Sequence, residues 1–220
     1  MNKVLVIAPH PDDETLGCGG TLLRHKSEGD LIFWLIMTCI DEVHGWSADQ
    51  IRVRDKEIEK IADAYGFSEI HTLALPTAQL DTIPLTDIIE KIGSFIKNLE
   101  PEILYTPYAQ DVHTDHQLTA KAVNACTKWY RYPSIKRVLA YETLSETESY
   151  ISDETFKPNV FVNISKHLEL KIEIMSIYAS EFGDHPFPRS EKTIRALAEL
   201  RGSQVGYIAA EAFQLLMDRS

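Results

Sequence analysis

The chain has 220 residues, a formal net charge of −11, 44% hydrophobic residues and 25% charged residues, which is typical of a globular protein. An acidic balance of this size disfavours a general surface for nucleic acid or for an anionic membrane, because both partners attract basic surfaces. The longest apolar run, residues 31–37, is far too short to span a bilayer, so we expect one domain over residues 1–220 with no nucleic-acid partner and no stable membrane insertion.

Short apolar runs rich in Val, Ile and Leu alternate along the chain with longer segments of helical periodicity. The predicted strands are residues 3–9, 31–38, 69–76, 102–106, 136–144 and 160–164. The predicted helices between them are residues 15–28, 48–65, 85–98 and 114–129. This alternation predicts an α/β fold in which a parallel-rich sheet has helices on both faces.

The pattern changes after residue 164. Residues 166–182 carry apolar side chains at helical spacing, and residues 183–190 interrupt the pattern with a glycine and two prolines. We predict two further helices at residues 191–201 and 207–219. These additional C-terminal helices would lie beside the sheet, where they could wall a pocket.

The three cysteines, Cys18, Cys39 and Cys126, are odd in number and form no CxxC motif. The first residues pass directly into a strand pattern, which is not typical of a secretory signal peptide. We therefore expect free thiols in a reducing, cytoplasmic compartment. The sequence is compatible with a homo-oligomer but does not specify one.

Two polar segments follow strands that a doubly wound sheet would place side by side. The segment "HPDDE", residues 10–14, follows the first predicted strand, and "DVHTDH", residues 111–116, follows the fourth. Strand order in such sheets commonly runs 3-2-1-4, and ligands bind outside the carboxyl ends at the point where the order reverses. We therefore expect the two segments to face each other across one crevice.

Together these segments are rich in histidines and carboxylates. They contribute His10, His113 and His116, and also Asp12, Asp13, Glu14, Asp111 and Asp115. So many carboxylates in one place would repel one another and be costly to bury unless a cation were present. Imidazole and carboxylate groups without a thiolate suit Zn²⁺, with Fe²⁺ or another divalent first-row metal as the alternatives.

The residues alone leave the individual roles open. His113 and His116 lie three apart at a helix start, so one can bind a metal while the other stabilises an oxyanion or protonates a leaving group. Asp12 and Asp13 are adjacent on a tight turn after Pro11 and must point in different directions. One can then bind the metal while the other accepts a proton from water. Each segment alone could instead be a solvated loop or a carboxylate-decorated helix start.

The motif "PHPDDE" with the later "HTDH", residues 9–14 and 113–116, resembles the PIG-L/LmbE-like family of metal-dependent N-deacetylases. Residues 54–66, 179–182, 201–202 and 210–213 are also similar to segments of that family. The resemblance implies a Rossmann-like α/β domain that removes an acetyl group from an N-acetylated amino sugar by means of metal-activated water.

The resemblance also implies roles for matching positions. The implied metal ligands are His10, Asp13 and His116. Asp12 would be the general base, and His113 would stabilise the tetrahedral intermediate and protonate the departing amine. Asp115 would orient His113 and tune it. Glu14 receives no firm role, because three protein ligands are already assigned.

The substrate is less defined than the chemistry. An N-acetylglucosamine-type unit, nucleotide-linked or glycosidic as alternatives, fits the expected compartment. Arg54 resembles a family arginine that can reach substrate. His185 and Arg189 lie in the proline-rich break, where they could line the mouth of the pocket, and Arg189 suits a phosphate or carboxylate.

Two other functions compete with deacetylation. A metal-dependent phosphoesterase could use the same residue types, although Arg54 and Arg189 are the only basic groups in view for a phosphate. A non-catalytic Rossmann-like module could bind a sugar or nucleotide, although no GxGxxG follows the first strand. Release of acetate, release of phosphate or binding without hydrolysis would separate the three.

Overall fold

The computed structural model describes residues 1–148 and 155–219, which contain seven strands and six helices. The strands are β1 Lys3–Ala8, β2 Leu31–Cys39, β3 Glu69–Pro76, β4 Ile103–Pro107, β5 Arg137–Tyr141, β6 Val160–Asn163 and β7 Ala210–Asp218. The helices are α1 Asp13–Ser27, α2 Ala48–Tyr65, α3 Leu85–Leu99, α4 Thr114–Ala125, α5 Leu168–Met175 and α6 Glu191–Ser203. None of the helices in these ranges has the length and hydropathy of a membrane span.

The strands form one sheet in the order β3-β2-β1-β4-β5-β7-β6. The first five strands pair in parallel, and β7 pairs antiparallel with both β5 and β6. The predicted order 3-2-1-4 is therefore confirmed, and so is the α/β class with a parallel-rich sheet. The carboxyl ends of β1 and β4 meet where the order reverses, which is where such sheets bind ligands.

β1 shows why the sheet is covered on both faces. Val4 and Val6 pack into one hydrophobic cluster, whereas Leu5 and Ile7 pack into the other. Successive side chains of a strand point to opposite faces, so a strand that is apolar at every position needs helices on both sides. All four side chains are fully buried, which holds the start of the following loop firmly in place.

The C-terminal prediction is wrong in one respect. Residues 207–219 were expected to form a helix, but Ala210–Asp218 is β7, inserted between β5 and β6. Its Ala, Glu, Leu and Met residues favour helix in isolation. Phe213 nevertheless pairs with Tyr141 on one side and with Val160 on the other, and these tertiary contacts outweigh local propensity.

β7 also braces α1, the helix that begins at the motif. Cys18 interrupts α1 with a non-helical φ of −145°. The carboxylate of Glu211 on β7 accepts hydrogen bonds from the backbone N–H groups of Gly20 at 2.8 Å and Thr21 at 2.7 Å. Lys171 of α5 pairs with the same carboxylate at 2.7 Å, and both side chains are buried. A buried charge pair thus fixes α1 beyond its kink.

Candidate active site

A cavity of about 240 Å³ lies at the carboxyl ends of β1 and β4. The residues that follow β1 and those at the start of α4 both line it, as the sequence predicts. Its lining includes His10, Asp12, Asp13, His113 and His116. The two polar segments, about a hundred positions apart in the chain, are therefore brought together by the topology of the sheet.

The turn at Asp12 is strained. Asp12 is not a glycine, yet its φ is 138°, in a region that costs side-chain-bearing residues about 1–3 kcal/mol. The Glu14 carboxylate accepts a hydrogen bond from the backbone N–H of Asp12 at 3.0 Å. It also accepts hydrogen bonds from the hydroxyls of Thr15 at 2.6 Å and Tyr178 at 2.9 Å. Glu14, which the sequence left without a role, therefore holds the strained turn.

Glu14 performs this task from a fully buried position. Burial raises the pKa of Glu14 to about 7, even though the hydrogen bonds that it accepts from Thr15, Asp12 and Tyr178 act in the opposite direction. The tyrosine comes from the segment after α5, so a C-terminal element supports the N-terminal motif.

The strained turn separates the carboxylates of Asp12 and Asp13. Asp13 Oδ2 lies 3.3 Å from His10 Nδ1 and 3.2 Å from His116 Nε2. Asp12 Oδ2 instead accepts a hydrogen bond from Arg189 Nη1 at 2.8 Å. The two adjacent carboxylates point to different partners, as the sequence requires, so they can perform different tasks.

The same separation divides their proton affinities. Burial and the neighbouring charge of Asp13 raise the pKa of Asp12 well above its usual range, and Arg189 opposes this shift. Burial alone would raise the pKa of Asp13, but contacts with His116 and His10 outweigh it and hold that pKa well below the usual range. Asp12 thus has the character of a proton acceptor, and Asp13 that of a permanent anion.

Three donor atoms converge beside the cavity. One atom from each of His10, Asp13 and His116 lies within 4.8 Å of the others. A second group, made of His10, His113 and Asp115, meets the same distance limit and shares His10. In the first group the Asp13 oxygen faces a ring nitrogen of both histidines, which is the arrangement that two imidazoles and one carboxylate need to hold one cation.

The imidazole rings of His10 and His116 each contact a second carboxylate through the nitrogen that faces away from Asp13. His116 Nδ1 lies 2.8 Å from Asp111 Oδ2, and His10 Nε2 lies 3.2 Å from Asp115 Oδ2. Metal-binding histidines are usually oriented by such partners, which fix the tautomer and raise the basicity of the ligand nitrogen. Asp111 was recognised in the sequence as part of the cluster but received no role, and its spacing of five residues before His116 was the available signal.

The electrostatics of this group favour positive charge. Burial lowers the pKa of a histidine, yet Asp115 and Asp13 raise the pKa of His10 to about 9. Burial also lowers the pKa of His116, but Asp13 and Asp111 outweigh it and raise that pKa to about 10. A site that binds extra protons so firmly also attracts a divalent cation, which would displace them. The residues present therefore fit a metal of the Zn²⁺ type.

His113 differs from the other two histidines and corrects one prediction. Burial, together with the charges of His10 and His116, lowers the pKa of His113 to about 4. The backbone N–H of Asp115 donates to His113 Nδ1 at 3.1 Å, so the neutral ring carries its proton on Nε2. Asp115 was expected to orient His113 and tune it. Its backbone N–H contacts His113, but its carboxylate lies 3.2 Å from His10 Nε2 instead.

The predicted substrate contacts divide into two groups. Arg54 on α2 and Arg189 before α6 both line the cavity, as expected. His185 does not, because it is exposed and borders a separate depression with Phe182 and Arg195. The proline-rich break thus directs its arginine to the site and its histidine to the surface.

Several lining residues were missed by sequence reasoning. They are Trp46, Glu146 and Glu181. Glu146 follows β5 by five residues, so the rule that ligands bind beyond the carboxyl ends of parallel strands offered a signal for it. Glu181 lies within a segment that resembles the family but carries no local chemical pattern. Its role depends on arginines that the chain brings from α2 and from the segment before α6.

Comparisons with known proteins find related sequences over most of the chain. The sequence model of the family described as PIG-L, GlcNAc-PI de-N-acetylase, matches residues 5–127. The chain is 26% identical to the diacetylchitobiose deacetylase of Thermococcus kodakarensis over 98% of this chain and 84% of that protein. It is 24% identical to a probable N-acetyl-alpha-D-glucosaminyl L-malate deacetylase 2 of Bacillus cereus, over 81% of this chain and 83% of the relative.

A solved structure extends the likeness to three dimensions. The N,N'-diacetylchitobiose deacetylase of Pyrococcus horikoshii superposes with a TM-score of 0.80 at 24% identity. The match covers 98% of this chain and 84% of that one. The likeness therefore includes the C-terminal strand and helices as well as the half of the chain that the family model matches.

Proposed function

Because the chain belongs to the PIG-L family, we propose that it is an amide hydrolase that removes the acetyl group from an N-acetylated amino sugar. The observation that carries this proposal is the division between neighbouring carboxylates, with Asp13 beside two imidazoles and Asp12 directed away from them. A water molecule placed between these groups would have a proton acceptor on one side and a cation site on the other. Two relatives named as sugar deacetylases support the choice of substrate class.

We propose that His10, Asp13 and His116 hold one divalent cation. Two imidazoles and a carboxylate form a donor set found in catalytic zinc sites, and Fe²⁺ is the alternative. When bound, such a cation polarises the acetyl carbonyl and makes water more acidic. Asp111 and Asp115 orient the two imidazoles from behind, so that the proposed ligands meet the cation already in position.

Asp12 is the proposed general base. Its side chain is buried at the cavity, and its raised pKa brings it nearer to the value at which a carboxylate can both accept and return a proton. It would accept a proton from the attacking water and hold it beside the amide nitrogen. Return of that proton to the amide nitrogen breaks the C–N bond and leaves a free amine and acetic acid. The acid then ionises to acetate and its proton passes to the amine or to solvent, so that the atoms of water and amide balance.

His113 is the proposed donor to the acetyl oxygen. Its lowered pKa keeps the ring neutral near pH 7, and its Nδ1 accepts the Asp115 backbone N–H. The Nε2–H is then free to donate to the oxygen on which negative charge develops, a contribution worth roughly 10²–10³-fold in rate. A neutral ring suits this task better than protonation of the amine, so we assign that protonation to Asp12.

The substrate would present an N-acetylglucosamine-type ring to the cavity. A volume of about 240 Å³ is close to the lower end of the volumes of ligand pockets, which suits one sugar ring with its attached group outside.

The three free cysteines, of which Cys18 and Cys126 are buried, support a reducing cytoplasmic setting.

The test is product analysis with defined substrates. Purified protein supplied with Zn²⁺ is incubated with N-acetylglucosamine, N,N'-diacetylchitobiose, UDP-N-acetylglucosamine and a matched set of sugar phosphates. We expect acetate and free amine in equal amounts from at least one acetamido sugar, and no phosphate from the sugar phosphates. Phosphate release without acetate would replace the proposal with a phosphoesterase, and binding without either product would indicate a non-catalytic module.

A further inference from the structure

Both arginines at the cavity are already bound by carboxylates. Arg189 Nη1 donates to Asp12 at 2.8 Å and to Glu181 at 2.9 Å, and Arg189 Nη2 approaches Glu146 at 3.4 Å. Arg189 Nε donates to the hydroxyl of Ser145 at 3.0 Å. Each nitrogen of the guanidinium therefore has a partner within the protein, and three of the four partners are acidic.

Arg54 is held in the same way. Its Nη2 donates to Glu181 at 2.8 Å, its Nε lies 3.3 Å from Glu57, and its Nη1 donates to the carbonyl oxygen of Pro11 at 2.9 Å. Glu181 thus bridges the two arginines, with one carboxylate oxygen bound to each. An anionic ligand would have to displace this carboxylate before either guanidinium could bind it in a bidentate geometry.

The charge balance around the cavity is negative. Four carboxylates contact the two arginines, and the exposed Asp55 adds another negative charge to the lining. Among the described residues no lysine lines the cavity, and residues 149–154 contain neither lysine nor arginine. Asp13 would offset one of the two charges of a bound divalent cation. The described carboxylates in or beside the lining would still outnumber the positive charges of the cation and the two arginines, by six to four; they are Asp12, Asp13, Asp55, Glu57, Glu146 and Glu181.

The cavity lining also contains apolar and neutral side chains. Trp46, which is 38% exposed, lies there with the half-buried Ile40 and Ile58. Thr72 and Thr77 add hydroxyl groups. An aromatic ring and neutral hydrogen-bonding groups match the faces and hydroxyls of a second sugar ring. A carboxylate or phosphate at this position would find no unpaired cation among the described residues that line the cavity.

On the basis of the proposed function, we infer that the enzyme selects electrically neutral N-acetylglucosaminides and discriminates against those whose attached group is anionic. Glu181 is the specificity-determining residue, because it occupies both arginines. Among the substrates named for relatives, this favours an oligosaccharide such as diacetylchitobiose over an N-acetylglucosaminyl malate.

The test uses two substrates that differ in charge but hardly in shape. These are 4-carboxyphenyl N-acetylglucosaminide and its methyl ester, compared by kcat/KM for acetate release. We expect the ester to be preferred by roughly tenfold or more, as one unit charge in a partly screened site would produce, and the preference to shrink at high salt. Equal rates, or a preference for the acid, would overturn the inference.

Two variants test whether carboxylates at the cavity cause the preference for the ester, and a third variant is the control. Glu181→Gln should narrow the preference for the ester by freeing both arginines. Asp55→Asn should also narrow the preference, and this exposed residue makes no ion pair with residues 1–148 or 155–219 whose loss could disturb folding. Glu59→Gln removes the same charge from the exposed surface of α2, outside the cavity lining, and should leave the ratio unchanged. An unchanged ratio in both cavity variants would remove Glu181 from the role.

The inference can fail separately from the proposed function. If neither these compounds nor the acetamido sugars named above release acetate, the deacetylase proposal fails. Whenever the two compounds are not hydrolysed, their calorimetric binding tests the charge selection alone. Tighter binding of the ester supports the selection, whereas equal or tighter binding of the acid contradicts it. If acetate is released and the acid is preferred, the deacetylase proposal stands and the inference does not.

Discussion

Glu14 holds Asp12 through a hydrogen bond of 3.0 Å from the backbone N–H of Asp12 to the Glu14 carboxylate. This contact fixes a residue whose φ of 138° is unfavourable for any residue other than glycine. The strained turn is what points the Asp12 carboxylate away from Asp13. A buried acid without contact to substrate therefore controls where the proposed base stands.

Replacement of Glu14 should reduce turnover without removing the metal. Glu14→Ala loses the acceptor for the Asp12 backbone, and we expect kcat to fall by about 10–100-fold, since small misplacements of reacting groups have costs of that order. Glu14→Gln retains an acceptor and should restore part of the rate. Tyr178→Phe removes one donor to Glu14 but leaves the contact with Asp12, so its loss should be smaller. Steady-state kinetics beside metal analysis would check this, and loss of metal in Glu14→Ala would contradict it.

Replacement of Asp12 should separate chemistry from metal binding. Asp12→Ala removes the proposed base but none of the three proposed ligands, so we expect full metal content and a rate lower by roughly 10²–10⁴-fold. Acetate release and elemental analysis on the same sample measure both quantities. A variant that keeps wild-type turnover would show that Asp12 is not the base.

Replacement of a proposed ligand, or of the carboxylate that orients it, should weaken metal binding itself. His116→Ala should lose bound metal and activity together. Asp111→Asn leaves every ligand in place but weakens the contact that orients His116 at 2.8 Å, so metal affinity should fall by about 10–100-fold. Competition with a chromophoric chelator would give both affinities. Full metal content in His116→Ala would remove this residue from the ligand set.

Metal binding should depend steeply on pH. In the metal-free protein the neighbouring carboxylates raise the pKa of His10 to about 9 and that of His116 to about 10, so both rings are protonated at pH 7. A metal binds the neutral rings and must displace both protons, so affinity rises with pH below these pKa values, by up to about a hundredfold per pH unit. Calorimetry in two buffers of different ionisation enthalpy counts the released protons. A proton count near zero at pH 7 would contradict the assignment.

The buried pair of Lys171 and Glu211 makes a prediction about stability. Lys171→Met would leave the Glu211 carboxylate buried without its cation, at a cost of about 3–5 kcal/mol in the free energy of unfolding. The double variant Lys171→Met with Glu211→Gln removes both charges and should recover much of that loss. Urea denaturation measures each value. A single variant as stable as the wild type would show that the pair does not brace α1.

The sequence predicted the half of the fold that forms the site. The apolar run of β1 and the periodicity of α2 and α3 follow directly from burial, and the strand order followed from the order that is common in doubly wound sheets. The C-terminal β7 was missed because its composition favours helix and its partners lie about 50 to 80 positions earlier in the chain. Local propensity carries no information about such partners.

The candidate site shows the same limit. The two short motifs at neighbouring strand ends predicted one shared site, and the family resemblance implied His10, Asp13 and His116 as its metal ligands. The contact of Asp115 with His10 joins residues 105 positions apart. The bridge of Glu181 between two arginines joins α2 to the segment between α5 and α6. Neither relationship has a pattern in the linear sequence, so both required coordinates.

A titration of metal-free protein with Zn²⁺ tests the proposed metal-dependent deacetylation most directly. Acetate release is measured during the titration, from N,N'-diacetylchitobiose or from another acetamido sugar that proves to be a substrate. We predict no acetate before addition, a linear increase up to one metal per chain, and a plateau beyond it, with bound metal absent from His116→Ala. Acetate release at the full rate from metal-free protein would contradict the proposed metal dependence. A full rate that is reached with no metal bound by His10, Asp13 and His116 would contradict the proposed site.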